Sequence, residues 1–344
     1  MRRLNIAVEP SAILVEYSKI LIRATNWIGD AVMSLPALHA IRERFGQAHI
    51  AILAKPWVAD LYSRERLADE VIPYTAASVL AKWRVGRELG SRGFDCAILL
   101  QNAFEAAALA WVARIPNRIG YARDGRGWLL TRAVAVPKPG EIPAHQRFYY
   151  LELLRRAGLV DDLPDIAPFI ERGAGNSKPV IGVSPGAAYG TAKRWLPERF
   201  AEAAVRLARQ RGASIALFGS QSERALCEEV AQLIRNVPVT NYAGQTSLAE
   251  FIDLASRCEL FLTNDSGAMH IASALGVPTV AIFGATDHIA TGPTGPNARV
   301  VREPVECSPC LLRECPIDHR CMTRVSAARV VEQSLELLAS HSRS

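Results

Sequence analysis

The segment Leu260–Gly284 constrains the fold of this chain more than any other. The apolar run from Leu260 to Thr263 predicts a buried strand. Asn264, Asp265, Ser266 and Gly267 then predict a short polar turn with helix-capping chemistry. Ala268 to Leu275 places apolar residues at helical spacing, Gly276 and Pro278 stop that helix, and Thr279 to Phe283 predicts a second buried strand. The result is one β-turn-α-β unit whose turn opens onto a helix N-terminus. Unpaired backbone N–H groups and the positive end of the helix dipole meet there, which suits a phosphate. The turn lacks the Gly-x-Gly-x-x-Gly spacing of dinucleotide folds, and no Gly-x-x-x-x-Gly-Lys-Ser/Thr occurs in the chain. A phosphate reading therefore needs support from other segments.

The same alternation runs through the rest of the sequence. Strands are expected at Lys19–Ala24, Ile50–Ala54, Cys96–Leu100 and Arg118–Tyr121. Helical patterns are expected from Asp30 to Phe45, Ser78 to Arg92, Asn102 to Ala113 and Glu141 to Gly158, the last carrying His145, Arg147 and Tyr149. Between Pro164 and Pro179, prolines and glycines replace any apolar period, which marks a linker. A second series follows, with strands at Val180–Ser184 and Ile215–Phe218. Its helices are Pro197–Arg211, Glu223–Ile234, Ser247–Ser256 and, at the end, Ser326–Ala339. The expectation is an α/β protein of two Rossmann-like domains with parallel sheets facing across a cleft. The domains are placed at residues 1–172, with 1–18 an irregular extension, and 173–344.

A length of 344 residues is enough for two such domains. No stretch approaches the roughly 20 apolar residues of a membrane span. Glu9, Pro10 and Glu16 interrupt any secretory signal, so the expected location is cytoplasmic, with contact at the inner face of the inner membrane left open. The 40 Lys and Arg against 34 Asp and Glu give a net charge of +6, compatible with an anionic ligand or an anionic membrane surface. No nucleic-acid partner is expected. Arg114–Arg132 and Arg194–Arg211 carry much of the excess and read first as solvated faces.

Three loops follow expected strands, at the sheet edge where open α/β folds bind ligands. Thr25-Asn26-Trp27-Ile28-Gly29-Asp30 offers a close backbone approach at Gly29 and a carboxylate at Asp30, which otherwise reads as a helix cap. Pro36 leaves two helix starts open, one near Gly29 with a bend and one near Ser34. The loop Ser184–Trp195 combines glycines, Gly186 among them, with Thr191 and Lys193, a set able to surround a diphosphate with backbone donors and one positive charge. The third loop, Asn264–His270, completes a polar ring, although His270 alone reads as a core histidine. A nucleotide-activated donor held by one domain, facing a general base on the other, is the geometry of glycosyl transfer.

At these residues the chain resembles the ADP-heptose:lipopolysaccharide heptosyltransferases, glycosyltransferase family 9, whose fold is GT-B. The matching pieces are Arg23-Ala-Thr-Asn-Trp-Ile-Gly-Asp-Ala-Val-Met-Ser-Leu-Pro-Ala-Leu38, Ser184-Pro-Gly-Ala, Lys193-Arg-Trp and Asn264-Asp-Ser-Gly-Ala-Met-His-Ile-Ala. Asn26–Met33 and Leu100-Gln-Asn-Ala-Phe104 are more similar to heptosyltransferase II than to I. The resemblance implies inverting transfer from ADP-heptose to a heptose of the lipid-linked lipopolysaccharide core. It implies an acceptor-binding N-terminal domain and a nucleotide-sugar-binding C-terminal one. Asp30 matches the family's general base, and Lys193 would stabilise departing ADP together with the N–H groups around Asp265, Ser266 and Gly267. Asn26, Gly29, Ser184, Gly186, Thr191 and His270 are the remaining substrate-binding positions, and Glu250 is assigned to the ribose or adenine end by position. No cofactor is required for the transfer.

The four thiols Cys307, Cys310, Cys315 and Cys321, with His319 among them, stand outside that mechanism. In a cytosolic protein they read either as a structural zinc site or as free thiols in a binding loop. Cys96, Cys227 and Cys258 sit in core-like settings. Alternatives that remain open are heptosyltransferase I, another GT-B transferase, and a non-enzymatic regulator that binds a nucleotide or metal.

Overall fold

The described residues build two six-stranded parallel sheets with one wiring used twice. The structure, a computed structural model, describes residues 16–172 and 178–341; residues 1–15 of the extension and 173–177 of the linker lie outside the described residues. The first sheet contains β1 (Lys19–Arg23), β2 (His49–Ala54), β3 (Glu70–Pro73), β4 (Cys96–Leu99), β5 (Asn117–Tyr121) and β6 (Arg132–Val134). Its helices are α1 (Ile28–Met33), α2 (Leu35–Arg44), α3 (Pro56–Arg64), α4 (Val79–Ser91), α5 (Phe104–Val112) and α6 (Arg147–Arg156). The second sheet contains β7 (Val180–Ser184), β8 (Ser214–Leu217), β9 (Val239–Asn241), β10 (Leu260–Asn264), β11 (Thr279–Ile282) and β12 (Ala298–Val301). Around it lie α7 (Pro197–Arg211), α8 (Arg224–Leu233), α9 (Leu248–Ser256), α10 (Gly267–Ala274), α11 (His288–Thr291), α12 (Arg320–Thr323) and α13 (Ala327–His341).

The spatial orders are β3-β2-β1-β4-β5-β6 and β12-β11-β10-β7-β8-β9. Counted from the first strand of each half, both are 3-2-1-4-5-6, the dinucleotide-fold order. The switch point therefore falls between β1 and β4 in one half and between β7 and β10 in the other. Strands at these centres are apolar and buried on both faces, as in Ile20–Ile22, Ile50–Leu53 and Leu260–Leu262. All four sheet edges, β3, β6, β9 and β12, are strands that the sequence reading did not anticipate. They are three or four residues long and only partly buried, so they carry no continuous apolar run.

Two expected helices differ from the observed ones. The pattern from Asp30 to Phe45 is split at Ser34: α1 ends there and α2 begins with Pro36 in its first turn, where a missing N–H costs nothing. Both expected helix starts are thus used. The helix expected over Glu141–Gly158 shortens to α6, because the chain before it bonds to the other half. Gln146 N donates to Ala290 O at 2.9 Å, and His145 Nε2 lies 3.0 Å from Gly292 O. Within the expected extension, Tyr17 packs its ring against Phe45 in the core, and the exposed Ser18 bonds Asp95.

The halves meet through α1 against α10 and α3 against α9. One buried apolar cluster runs from Val32 and Leu35 to Ile252, Ile271 and Ala274, so the contact is a shared core. Arg64 pairs with Asp253, and Asp60 accepts from Ala249 N at 3.3 Å at the same seam. No described helix is long and apolar enough to cross a membrane.

Candidate active site

All three loops singled out from the sequence leave switch-point strands: 25–30 follows β1, 184–195 follows β7 and 264–270 follows β10. Arg23, buried at the end of β1, fixes the first loop. Its guanidinium donates to Ala24 O at 2.7 Å, Leu53 O at 3.2 Å and Asn26 Oδ1 at 3.1 Å, and it lies over the Tyr74 ring. Asn26 O in turn accepts from Trp57 Nε1 at 2.8 Å. Asp30 stands in the first turn of α1, and Tyr150 Oη donates to its Oδ1 at 3.1 Å. Burial raises the Asp30 carboxyl above its ordinary range, while the Tyr150 bond and the charge of Lys193 pull the other way. A carboxylate of raised basicity beside a cleft is suited to accept a proton from a hydroxyl.

Gly29 packs directly on His270: a Cβ there would stand 2.9 Å from the imidazole Cδ2. Gly267 is equally crowded, with Ile28 Cβ 2.9 Å from its would-be Cβ. Absence of side chains at these two positions lets α1 reach the start of α10. His270 is buried, and burial pulls its pKa down to about 4, so the ring is neutral at physiological pH. The ring packs on the loop that carries Asp30.

In the second half, Asn264 ties two loops together. Its Oδ1 accepts from Trp195 N at 2.9 Å, and its Nδ2 donates to Pro185 O at 2.7 Å. Ser184 is buried beside Thr263 in the paired register, and Gly186 has Glu223 against the position of a Cβ. Thr191–Lys193 forms one turn of 3-10 helix. Lys193 is not a free cation: its Nζ lies 2.6 Å from Asp265 Oδ2, and Thr286 Oγ1 also donates to that oxygen. Ser266 caps α10, accepting from Met269 N at 3.4 Å. That bond occupies the third N–H of the helix and leaves the first two, Gly267 and Ala268, to an anion. Glu250 has a different setting. It closes a capping box at the start of α9, where Ser247 N and Oγ donate to its Oε2 at 2.8 and 2.9 Å.

Three contributors were not read from the sequence. Tyr150 and Thr286 lie far from the carboxylates they contact. Arg126, fully buried, holds the loop after β4 by donating to Gln101 O, Ala103 O and Asn102 Oδ1. Asn102 Nδ2 then donates to Tyr149 Oη at 3.0 Å, which gives the first half a second ordered wall. The signal for Arg126 was its place in the Arg114–Arg132 segment, where it was grouped with solvated arginines.

All four thiols, with His319, line one cavity of about 70 Å³. The zinc expectation finds no support in their arrangement. Among the described residues, no group of three or more His, Cys, Asp or Glu is placed to hold a metal ion. His319 Nε2 lies instead 2.9 Å from Ala192 O. Burial pushes the Cys321 thiol up to about 11, with the neighbouring thiols adding to the shift. The loop clasps the Thr191–Lys193 turn and the end of β11: Ala192 N donates to Arg313 O at 2.9 Å, Leu311 N to Ala285 O at 2.8 Å, and Ser308 Oγ to Gly284 O at 2.6 Å. Cys96, Cys227 and Cys258 are buried, with thiols pushed up to about 12, in keeping with core filling.

Two doubly wound halves, with a buried carboxylate at one switch point and a lysine beside a capped helix start at the other, have the architecture of a GT-B glycosyltransferase. The family model of glycosyltransferase family 9 (heptosyltransferase) matches residues 82–320, and the chain belongs to that family. It is 31% identical over 306 residues to the lipopolysaccharide heptosyltransferase 2 of Salmonella typhimurium, covering 83% of this chain and 88% of that protein. It is 29% identical over 328 residues to the lipooligosaccharide heptosyltransferase 2 of Campylobacter jejuni, covering 93% and 98%. The solved structure of the E. coli ADP-heptose lps heptosyltransferase II superposes with a TM-score of 0.81 at 28% identity, covering 94% of this chain and 99% of that one.

Proposed function

We propose that this enzyme transfers L-glycero-D-manno-heptose from ADP-heptose to a heptose of the lipid-linked lipopolysaccharide inner core, with inversion, as a heptosyltransferase II. The observation that carries the reading is the apposition of Asp30 with the Lys193–Asp265–Ser266 turn across one cleft. The half ending near residue 172 takes the acceptor, and the half beginning near 173 takes the donor. Asp30 removes the proton from the acceptor hydroxyl as its oxygen attacks C1, the bond from C1 to the ADP oxygen breaks, and ADP leaves. Tyr150 orients the Asp30 carboxylate. The Gly267 and Ala268 N–H groups and Lys193 meet the growing charge on the leaving phosphate. Lys193 reaches it either by sharing its ammonium with Asp265 or by leaving that pair.

Ser184, Gly186 and Thr191 shape the loop around the diphosphate, and Asn26 and Gly29 set the opposite rim. Glu250 keeps Oε1 for a ribose hydroxyl while Oε2 caps α9. The working site is the cytoplasmic face of the inner membrane. Structural zinc at the cysteine loop is not part of this reading, which gives the loop the role of a brace behind Thr191–Lys193. Purified protein incubated with ADP-heptose and a core acceptor carrying one heptose should release ADP and add one heptose mass by mass spectrometry. Donor binding without ADP release would overturn the reading, and transfer only to a heptose-free acceptor would reassign the step.

A further inference from the structure

The outer face of α4 and α5 has a composition that the transfer chemistry does not use. Leu80, Trp83, Arg84 and Arg87 fall at helical spacing on one side of α4 and are exposed. Trp111, exposed on α5, shares a groove of about 590 Å³ with Trp83, Arg87, Arg114 and Arg118. Trp83 and Trp111 are each 52% exposed, and Trp128, near Phe104 at the first turn of α5, is 71% exposed. Burying none of these indoles leaves a large apolar area in water, which a face serving only as a solvated surface would not retain. Arg84, Arg87 and Arg114 form no ion pair among the described residues, and Glu88 is the single acid within α4. The Arg87 guanidinium lies over the Trp83 ring. Indoles interleaved with unpaired arginines match the boundary between lipid headgroups and acyl chains.

The position of this face adds to the match. Both helices begin at the edge of the sheet that borders the cleft, and α5 starts directly after the Gln101–Ala103 loop held by Arg126. Asn102 of that loop reaches Tyr149, the neighbour of the Tyr150 that orients Asp30. Trp111 and Arg114 stand at the opposite end of α5 from that loop, so a bilayer lying along α4 and α5 would reach the cleft side at Leu80 and Phe104.

We propose that the α4–α5 face docks the enzyme on a bilayer rich in anionic phospholipid, with Trp83 and Trp111 inserted at the headgroup level and Arg84, Arg87 and Arg114 on lipid phosphates. The inference rests on the lipid-linked acceptor of the proposed function, and its test separates the two. Wild-type protein should co-sediment with vesicles of phosphatidylglycerol and phosphatidylcholine and weakly with phosphatidylcholine alone. Arg84→Ala with Arg87→Ala should lower the partition about 25-fold, taking about fivefold for each basic residue at an anionic surface. Trp83→Ser with Trp111→Ser should lower it as well, with an unchanged melting temperature. Both variants should keep wild-type turnover on a water-soluble, delipidated core acceptor. Vesicle binding that survives both double variants would overturn the docking face, as would a wild-type protein that pellets with neither vesicle. A change in oligomeric state in place of lost vesicle binding would overturn it in favour of a second copy of this chain. Absence of transfer to the soluble acceptor in the wild type would instead count against the proposed function and leave the vesicle result standing.

Discussion

The two halves share one strand order, yet their switch points carry opposite chemistry. In the second half the loops after β7 and β10 are cross-braced by Asn264, and their centre is an ammonium, a carboxylate and a capped helix start. In the first half the loop after β1 is fixed by Arg23 and the loop after β4 by Arg126, and the group they leave at the cleft is a carboxylate of raised pKa. Topology places a ligand at both crevices, and the residues on the loops decide which ligand. On the proposed function, the crevice with Lys193 and the capped helix start holds negative charge and the one with Asp30 takes up a proton. The seam between them is glycine against side chain, at Gly29 on His270 and Gly267 on Ile28.

The strongest way to break this division is Asp30→Asn. Turnover should fall by roughly 10²–10⁴, the range for loss of a general base, while ADP affinity stays near wild type. The same variant should melt no lower than wild type. A carboxyl whose folded pKa is raised costs stability that builds as the pH rises from its unfolded to its folded value and is complete above the latter. Loss of ADP affinity in calorimetry would show that Asp30 belongs to the donor side.

Lys193→Ala comes next. Removing the ammonium takes away about 1.5–3 kcal/mol of charge-assisted contact with the diphosphate. It also leaves the Asp265 carboxylate unpaired beside that anion. Asp265→Asn added to Lys193→Ala should therefore recover part of the ADP affinity. A double variant weaker than Lys193→Ala would place Asp265 in direct service of the donor.

The seam can be tested from either side. Gly29→Ala drives a methyl into the His270 ring and should destabilise the protein by about 1–3 kcal/mol, read from denaturant unfolding. Acid should loosen the same contact. His270 is held neutral, so its contribution to stability is complete above pH 6.5 and is lost as the pH falls toward about 4. Replacement of His270 by Gln should flatten the melting profile across that window.

The smallest expected effect is at the cysteine loop. His319→Ala removes one hydrogen bond to Ala192, worth about 0.5–1.5 kcal/mol, and should weaken ADP binding by less than about tenfold. An effect as large as that of Lys193→Ala would mean the loop touches the donor itself.

Much of this site was legible because its loops follow buried strands whose apolar runs are unmistakable, and because glycines and polar residues cluster at their ends. Asp30, Lys193 and Asp265–Gly267 were singled out in this way. Tyr150 was hidden because it lies on a helix 120 residues from Asp30, and an aromatic on an apolar face reads as core. The Lys193–Asp265 pair was hidden because nothing local to either residue records a partner 72 positions away. Arg126 was taken for surface because charge alone does not show burial; its satisfied guanidinium depends on carbonyls from a distant loop. Sheet edges escaped for the opposite reason, being too short and too exposed to leave a pattern.

The most direct test of the division is a crystal structure of the enzyme with a non-transferable ADP-heptose analogue and a core acceptor. The diphosphate should sit on Gly267 and Ala268 N–H and Lys193, with the acceptor hydroxyl about 2.6–3.2 Å from the Asp30 carboxylate. A donor bound elsewhere, or an acceptor whose nucleophilic hydroxyl faces away from Asp30, would contradict the account.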